Sequence, residues 1–187
     1  YKLAIETMAG KRVIIRTLDI GADKEASAFH LPKEDNPALG LRAIRISLKR
    51  PELFKVQLRA ILRASAYGKA AIMFPLITSV WEVWKAKEIL TEVQMELDKK
   101  GIAYDKQMEI GIMIETPAAA LNQRQAREKK FDFFSTARMT LAVHLGRRPH
   151  EPQPDRFLQS ASSCRPKAHP DDGRKCTQSR HLGRHVR

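Results

Sequence analysis

Cysteine is almost absent from this sequence: Cys164 and Cys176 are the two in 187 residues. They form no CxxC pair and no disulfide framework, so a stapled secreted scaffold is excluded and a reducing, cytoplasmic compartment is expected. Apolar runs are short, and none is long enough to span a bilayer, so no membrane partner is expected. The chain has no initiating Met and no signal-peptide pattern. It opens at Tyr1 directly into a helix-like stretch, which leads to the expectation that it is a piece of a longer protein.

What is present is a core-forming composition, 43% hydrophobic, and a net charge of +13 that is unevenly spread. Residues 1–134 hold 23 Lys and Arg against 17 Asp and Glu, whereas residues 135–187 hold 11 against 4. The same tail carries both cysteines, five of the six histidines and half of the prolines. Length and composition therefore allow one ordinary domain followed by a segment of different character.

Val13 to Thr17 is a β-branched run and predicts a buried strand. Leu18 to Asn36 has Gly, Asp, Pro and Asn without a clean period and predicts a loop. Pro51 opens a helix through about Ala66, with Phe54, Leu58, Ile61, Leu62 and Ser65 on one face and Gly68 as its stop. Ala70 to Ile77 predicts the next strand. Ser79 and Glu82 form a capping box for a helix that runs to Lys100 and stops at Gly101. Ile110 to Ile114 predicts a third strand, Pro117 starts a helix reaching about Arg127, and Phe131 to Phe134 predicts a fourth strand. This alternation predicts parallel βαβ units, half of a barrel or of a doubly wound sheet. In such folds chemistry sits where strands end and loops begin. After Ser135 no period survives, and no fold is read in the tail.

Polar residues that a core would not choose mark the strand ends. Arg16 closes the first strand, Arg42 and Arg45 lie in Gly40-Leu41-Arg42-Ala43-Ile44-Arg45, and Glu115 follows Gly111-Ile112-Met113-Ile114. Arginine forks suit a substrate carrying both phosphate and carboxylate, because each oxygen pair meets two donors. A carboxylate beside them suits Mg²⁺ bridged to the same oxygens. The same residues equally suit plainer roles: an arginine near a strand end as a salt-bridge residue, Glu115 as partner of a nearby Lys or Arg, and Asp19, Asp23 and Lys24 as turn residues.

Six stretches carry a resemblance. VIIRTLDIGADK (from Val13), NPALGLRAIRISL (from Asn36), LRAILRASAYG (from Leu58), MFPLI (from Met73), IGIMIETPAAAL (from Ile110) and FDFFS (from Phe131) resemble successive motifs of the C-terminal domain of bacterial phosphotransferase-system enzyme I. They occur in that family's order and spacing and cover roughly residues 1–135. Pyruvate phosphate dikinase and phosphoenolpyruvate synthase share the barrel, but NPALGLRAIRISL is nearer enzyme I. The resemblance implies an α/β fold: a partial (β/α)₈ TIM-type barrel of about four strands in residues 1–135, with an unstructured basic tail in 136–187. It implies a phosphoenolpyruvate–protein phosphotransferase that uses Mg²⁺ and moves the phosphoryl group to a histidine on a separate N-terminal domain, then to the carrier HPr. It implies a homodimer in the parent family. Arg16 and Arg42 resemble residues that grip phosphoenolpyruvate, and Glu115 resembles one of two acidic Mg²⁺ ligands. No catalytic residue is assigned to this chain.

The sequence then departs from the family. Where the family continues with a segment like IGTNDLTQYTLAVDR, this chain reads Thr136-Ala137-Arg138-Met139-Thr140-Leu141-Ala142-Val143-His144. The Asn-Asp pair that would supply the second metal ligand is missing, as are a later Arg and the MCGE motif whose Cys is the family's proton donor. Codons for Ala142 to Arg187 can be chosen so that the neighbouring reading frame spells YTLAVDR, HPAVL and WVGMCG in family order. Codons for Thr136 to Leu141 read in the other frame give GTNDL. Two single-base losses, near Ser135-Thr136 and near Leu141-Ala142, account for both, and residues 136–187 are expected to be out of frame. The chain alone is then expected to be inactive, and unstable in isolation, because a barrel of this kind needs about 250 residues and an exposed last strand invites pairing.

Two other functional classes remain open at this point. Eleven Lys and Arg in the tail favour salt-sensitive, non-specific binding to nucleic acid. A single aromatic there, Phe157, argues against specific single-strand recognition. A zinc site from His144, His150, Cys164, His169 and Cys176 matches no structural spacing. Sequencing the gene tests the frame reading: third codon bases between Thr136 and Arg187 are expected to restore all of the named motifs, and bases that do not restore them refute it.

Overall fold

The computed structural model describes residues 1–21, 34–36, 40–121 and 131–137. Asp23, Lys24, the helix expected beyond residue 121 and the tail from residue 138 lie outside the described residues. The elements are α1 (Lys2–Thr7), β1 (Val13–Arg16), α2 (Ile44–Lys49), α3 (Pro51–Ser65), β2 (Ala70–Phe74), α4 (Val80–Lys99), β3 (Glu109–Ile114), α5 (Pro117–Leu121) and β4 (Phe133–Thr136).

Local chemistry explains the boundaries. Between α2, which the sequence pattern did not predict, and α3 stands Arg50 at φ −126° and ψ 68°. The ring of Pro51 disfavours helical geometry in the residue before it, while Pro itself suits the first helical position. At the start of α4, Glu82 N donates to Ser79 Oγ at 3.3 Å and Ser79 N donates to Glu82 Oε2 at 2.9 Å, the expected capping box. Gly101 ends the same helix at φ +62°, a left-handed conformation that glycine adopts without a Cβ penalty. Strand β2 stops three residues earlier than expected. Pro75 has no N–H to donate to a ladder, and Leu76 turns to φ +53°.

All four strands are parallel and lie in the order β1-β2-β3-β4. A doubly wound sheet reverses its strand order at a switch point; this one does not. Right-handed crossovers in one direction place the connecting helices on one face, so the sheet is an arc of a barrel. The strand register continues through Thr136, and Ala137 N donates to Ile114 O at 3.1 Å.

One face of the sheet makes the core. Ile15, Ile72, Phe74, Ile112 and Ile114 meet Leu58, Ile61 and Leu62 of α3 and Val83, Ala86, Leu90, Val93 and Leu97 of α4 in one buried cluster. Phe54 and Phe74 meet edge to face, with ring centroids 6.1 Å apart. The alternate residues occupy the other face. Its lower end is filled by the Phe133 ring, which lies over Gly111, while the Arg12 guanidinium sits 5.1 Å from that ring and pairs with Glu109.

A Cβ on Gly111 would stand 2.3 Å from the Phe133 ring. Gly111→Ala is therefore expected to destabilise the fold by about 1 to 3 kcal/mol through overpacking, read as a lower urea midpoint with an unchanged slope.

Candidate functional site

The C-terminal ends of β1 and β3 and the turn after β2 meet at one rim. Arg16 is the last residue of β1, and its Nη1 lies 2.9 Å from Asp19 Oδ2. Arg42 Nη2 lies 3.5 Å from Asp19 Oδ1. One carboxylate thus stands between two guanidiniums.

Arg42 does not sit at a strand end. It belongs to the segment leading into α2 and is carried back to the rim by the backbone. Ala43 N donates to Ile20 O at 2.9 Å, and Ala43 holds φ +49°. That region is unfavourable for a residue with a Cβ, and such strain persists where the surroundings enforce it. Leu18 N donates to Gln57 Oε1 of α3 at 2.9 Å, which ties the same turn to the helical layer. Arg45, the other arginine of the motif, donates to Gly40 O at 2.9 Å and so braces the loop that carries Arg42.

Glu115 follows the last residue of β3 and is 4% exposed. Its Oε1 accepts from Leu76 N at 2.7 Å. Thr116 donates from Oγ1 to Ile77 O at 2.8 Å, so two consecutive residues join the end of β3 to the turn after β2. Burial pushes the Glu115 carboxyl above its ordinary value. The Leu76 N–H opposes that shift, the Asp19 charge adds to it, and the charges of Arg16 and Arg42 oppose it. Arg16, Asp19, Arg42 and Glu115 therefore share one electrostatic neighbourhood at one mouth.

The three residues singled out from sequence are brought together. Asp19, read from sequence only as a turn residue, is the hub between the arginines. Its signal was available: two arginines aimed at one rim need an anion, and Asp19 lies one turn past Arg16. Gln57 and Leu76 carry no such signal, because their roles arise from backbone positions that only the fold defines. The histidines and cysteines weighed for zinc lie outside the described residues.

Mg²⁺ can be tested against these side chains. No group of three or more metal-ligating side chains occurs among the described residues. Mg²⁺ uses one or two protein carboxylates and completes its shell with water and substrate phosphates. A buried Glu115 whose ionised form is disfavoured is a place where a cation is stabilising. The rim fits the ion in that sense.

A parallel arc of strands with two guanidiniums, their shared aspartate and a buried carboxylate at the C-terminal mouth defines part of a β/α-barrel domain. The family profile described as PEP-utilising enzyme, PEP-binding domain, matches residues 1–141, and the chain belongs to that family. Among curated proteins it is 48% identical over 151 residues to the phosphoenolpyruvate-protein phosphotransferase of Haemophilus influenzae, covering 78% of this chain and 26% of the relative. It is 53% identical over 136 residues to that of Staphylococcus epidermidis, 72% of this chain and 23% of the relative. It is 51% identical over 135 residues to that of Bacillus subtilis, 72% of this chain and 24% of the relative. The resemblance carried by the six motifs is borne out, and the chain spans about a quarter of the length of these relatives. Among the described residues no helix is long and apolar enough to cross a membrane.

Folded Glu115 keeps its proton to a higher pH than the unfolded chain does. Between the ordinary carboxylate value and the raised one, the folded state holds more protons, so stability falls as pH rises through that window. Glu115→Gln keeps an acceptor for Leu76 N and removes the ionisation. The variant is expected to match wild type at about pH 4 and to exceed it in stability at about pH 7.5, measured by urea denaturation at both pH values.

Proposed function

We propose that residues 1–137 form part of the phosphoenolpyruvate site of a phosphotransferase of the enzyme I type. The observation that carries this reading is the pair of guanidiniums from Arg16 and Arg42 held beside the buried Glu115 at one mouth. Phosphoenolpyruvate presents a phosphate and a carboxylate, and two planar forks match two oxygen-rich groups. Arg16 and Arg42 orient the substrate and offset its charge. Mg²⁺ held through Glu115 would spread the negative charge that develops on the phosphoryl oxygens.

In the transfer, the bond between phosphorus and the enol oxygen breaks and a bond from phosphorus to a histidine nitrogen forms; the released enolate takes up a proton to give pyruvate. None of the described residues is His or Cys, so neither the acceptor nor a thiol proton donor is assigned among them. The acceptor belongs to a separate domain, and onward transfer goes to the carrier HPr, in a cytoplasmic homodimer of the complete enzyme. The sequence has no Asn-Asp pair after Ser135 and no MCGE motif, which supports a chain that binds phosphoenolpyruvate without turning it over. A dikinase or synthase reading has no comparable support, since the three relatives above are all named as protein phosphotransferases.

Calorimetric titration of the full chain with phosphoenolpyruvate, with and without Mg²⁺, tests this. Arg16→Ala and Arg42→Ala are each expected to weaken binding about 10- to 100-fold, the range for losing a charge-assisted hydrogen-bonded contact. Glu115→Ala is expected to abolish the enhancement by Mg²⁺. Binding indifferent to all three substitutions overturns the proposal.

A further inference from the structure

Arg16 and Arg42 reach the rim from different places, one from a strand end and one from the segment before α2. Long flexible side chains from separate segments do not keep a fixed spacing unaided, because each loses rotamer freedom when it is held. Asp19 supplies the restraint. Its Oδ2 meets Arg16 Nη1 at 2.9 Å and its Oδ1 meets Arg42 Nη2 at 3.5 Å. The two oxygens of one rigid, planar group therefore set the separation of the two forks. The backbone repeats the link: Ile20 O, on the residue after Asp19, accepts from Ala43 N, on the residue after Arg42. Asp19 is also largely enclosed, its side chain 14% exposed, so its contacts are screened less than those of a surface pair.

We propose that Asp19 is a positioning residue for two-point recognition: its carboxylate holds the Arg16 and Arg42 guanidiniums at the spacing that a ligand bearing both phosphate and carboxylate requires. This rests on the phosphoenolpyruvate reading of the same mouth. Asp19 touches the arginines and acts through them. Its negative charge also opposes the bound anion, so its value lies in geometry and its effect must differ between ligands. A ligand with one anionic group needs only one fork and is indifferent to their separation. A ligand with two depends on it.

The test compares phosphoenolpyruvate with inorganic phosphate on the full chain, wild type against Asp19→Asn. The substitution keeps the size of the side chain and one acceptor oxygen while removing the charge and the second. Phosphoenolpyruvate affinity is expected to fall about tenfold or more, the effect of one misplaced charge-assisted contact. Phosphate affinity is expected to hold or rise. An equal fall for both ligands would assign Asp19 a merely structural role and overturn the inference. A rise for both would make it a competing anion and overturn it equally. If Asp19→Asn fails to fold, Asp19→Glu carries the same comparison, since it retains the charge but moves both oxygens outward by one methylene; a ratio of affinities equal to wild type then refutes the inference. Wild-type chain that binds phosphate but shows no preference for phosphoenolpyruvate defeats the underlying functional reading instead, so the two failures are distinct.

Discussion

Parallel pairing in consecutive order makes all four strands end on the same rim, and the placement of Arg16 and Glu115 beside one another follows from that constraint. Val13 pairs with Ala70, Ala71 with Glu109 and Gly111 with Phe133, so the strands run side by side in one direction. The residues just past the last rungs, around Thr17, Pro75 and Glu115, are therefore neighbours although about a hundred positions separate the first from the last. Side chains that would be scattered along an extended chain become one electrostatic unit. The helical layer makes this rim rigid, because α3 and α4 bury the opposite face against Ile72, Phe74, Ile112 and Ile114.

The rim is balanced rather than merely positive. Two arginines face one enclosed aspartate and one buried glutamate. Glu115 sits where ionisation is unfavourable, opposed chiefly by burial and supported by a single backbone donor. Strain accompanies the same place: of the three non-glycine residues with positive φ among those described, Ala43 follows Arg42 and Leu76 donates to Glu115. Strained backbone beside charge held out of water is how folds store preorganisation for a ligand. Stability is given up at the mouth and recovered in the apolar layer behind it.

Much of this architecture was legible beforehand. The β-branched run at Val13, the capping box at Ser79 and Glu82 and the proline at 51 speak through local chemistry, and local chemistry survives folding unchanged. The family was legible because six motifs, among them those that hold Arg16, Arg42 and Glu115, fall in its order along the chain. Helix α2 escaped notice because six residues, Ile44–Lys49, are too few for a period to declare itself. The early end of β2 escaped because it depends on Leu76 adopting a backbone conformation that leucine rarely takes. Asp19 was visible as a residue but not as a hub, since its second partner lies 23 positions away and meets it only through the loop closed by Ala43 and Ile20.

The two ends of the sheet are chemically unlike. At the lower end an aromatic ring from β4 covers the glycine of β3, with Arg12 stacked against it and already neutralised by Glu109. That stopper leaves no room at the glycine. Among the described residues the sheet's inner face therefore runs from an aromatic ring at one end to the charges of Arg16, Asp19, Arg42 and Glu115 at the other, and its polarity is laid out along the strands before any ligand arrives.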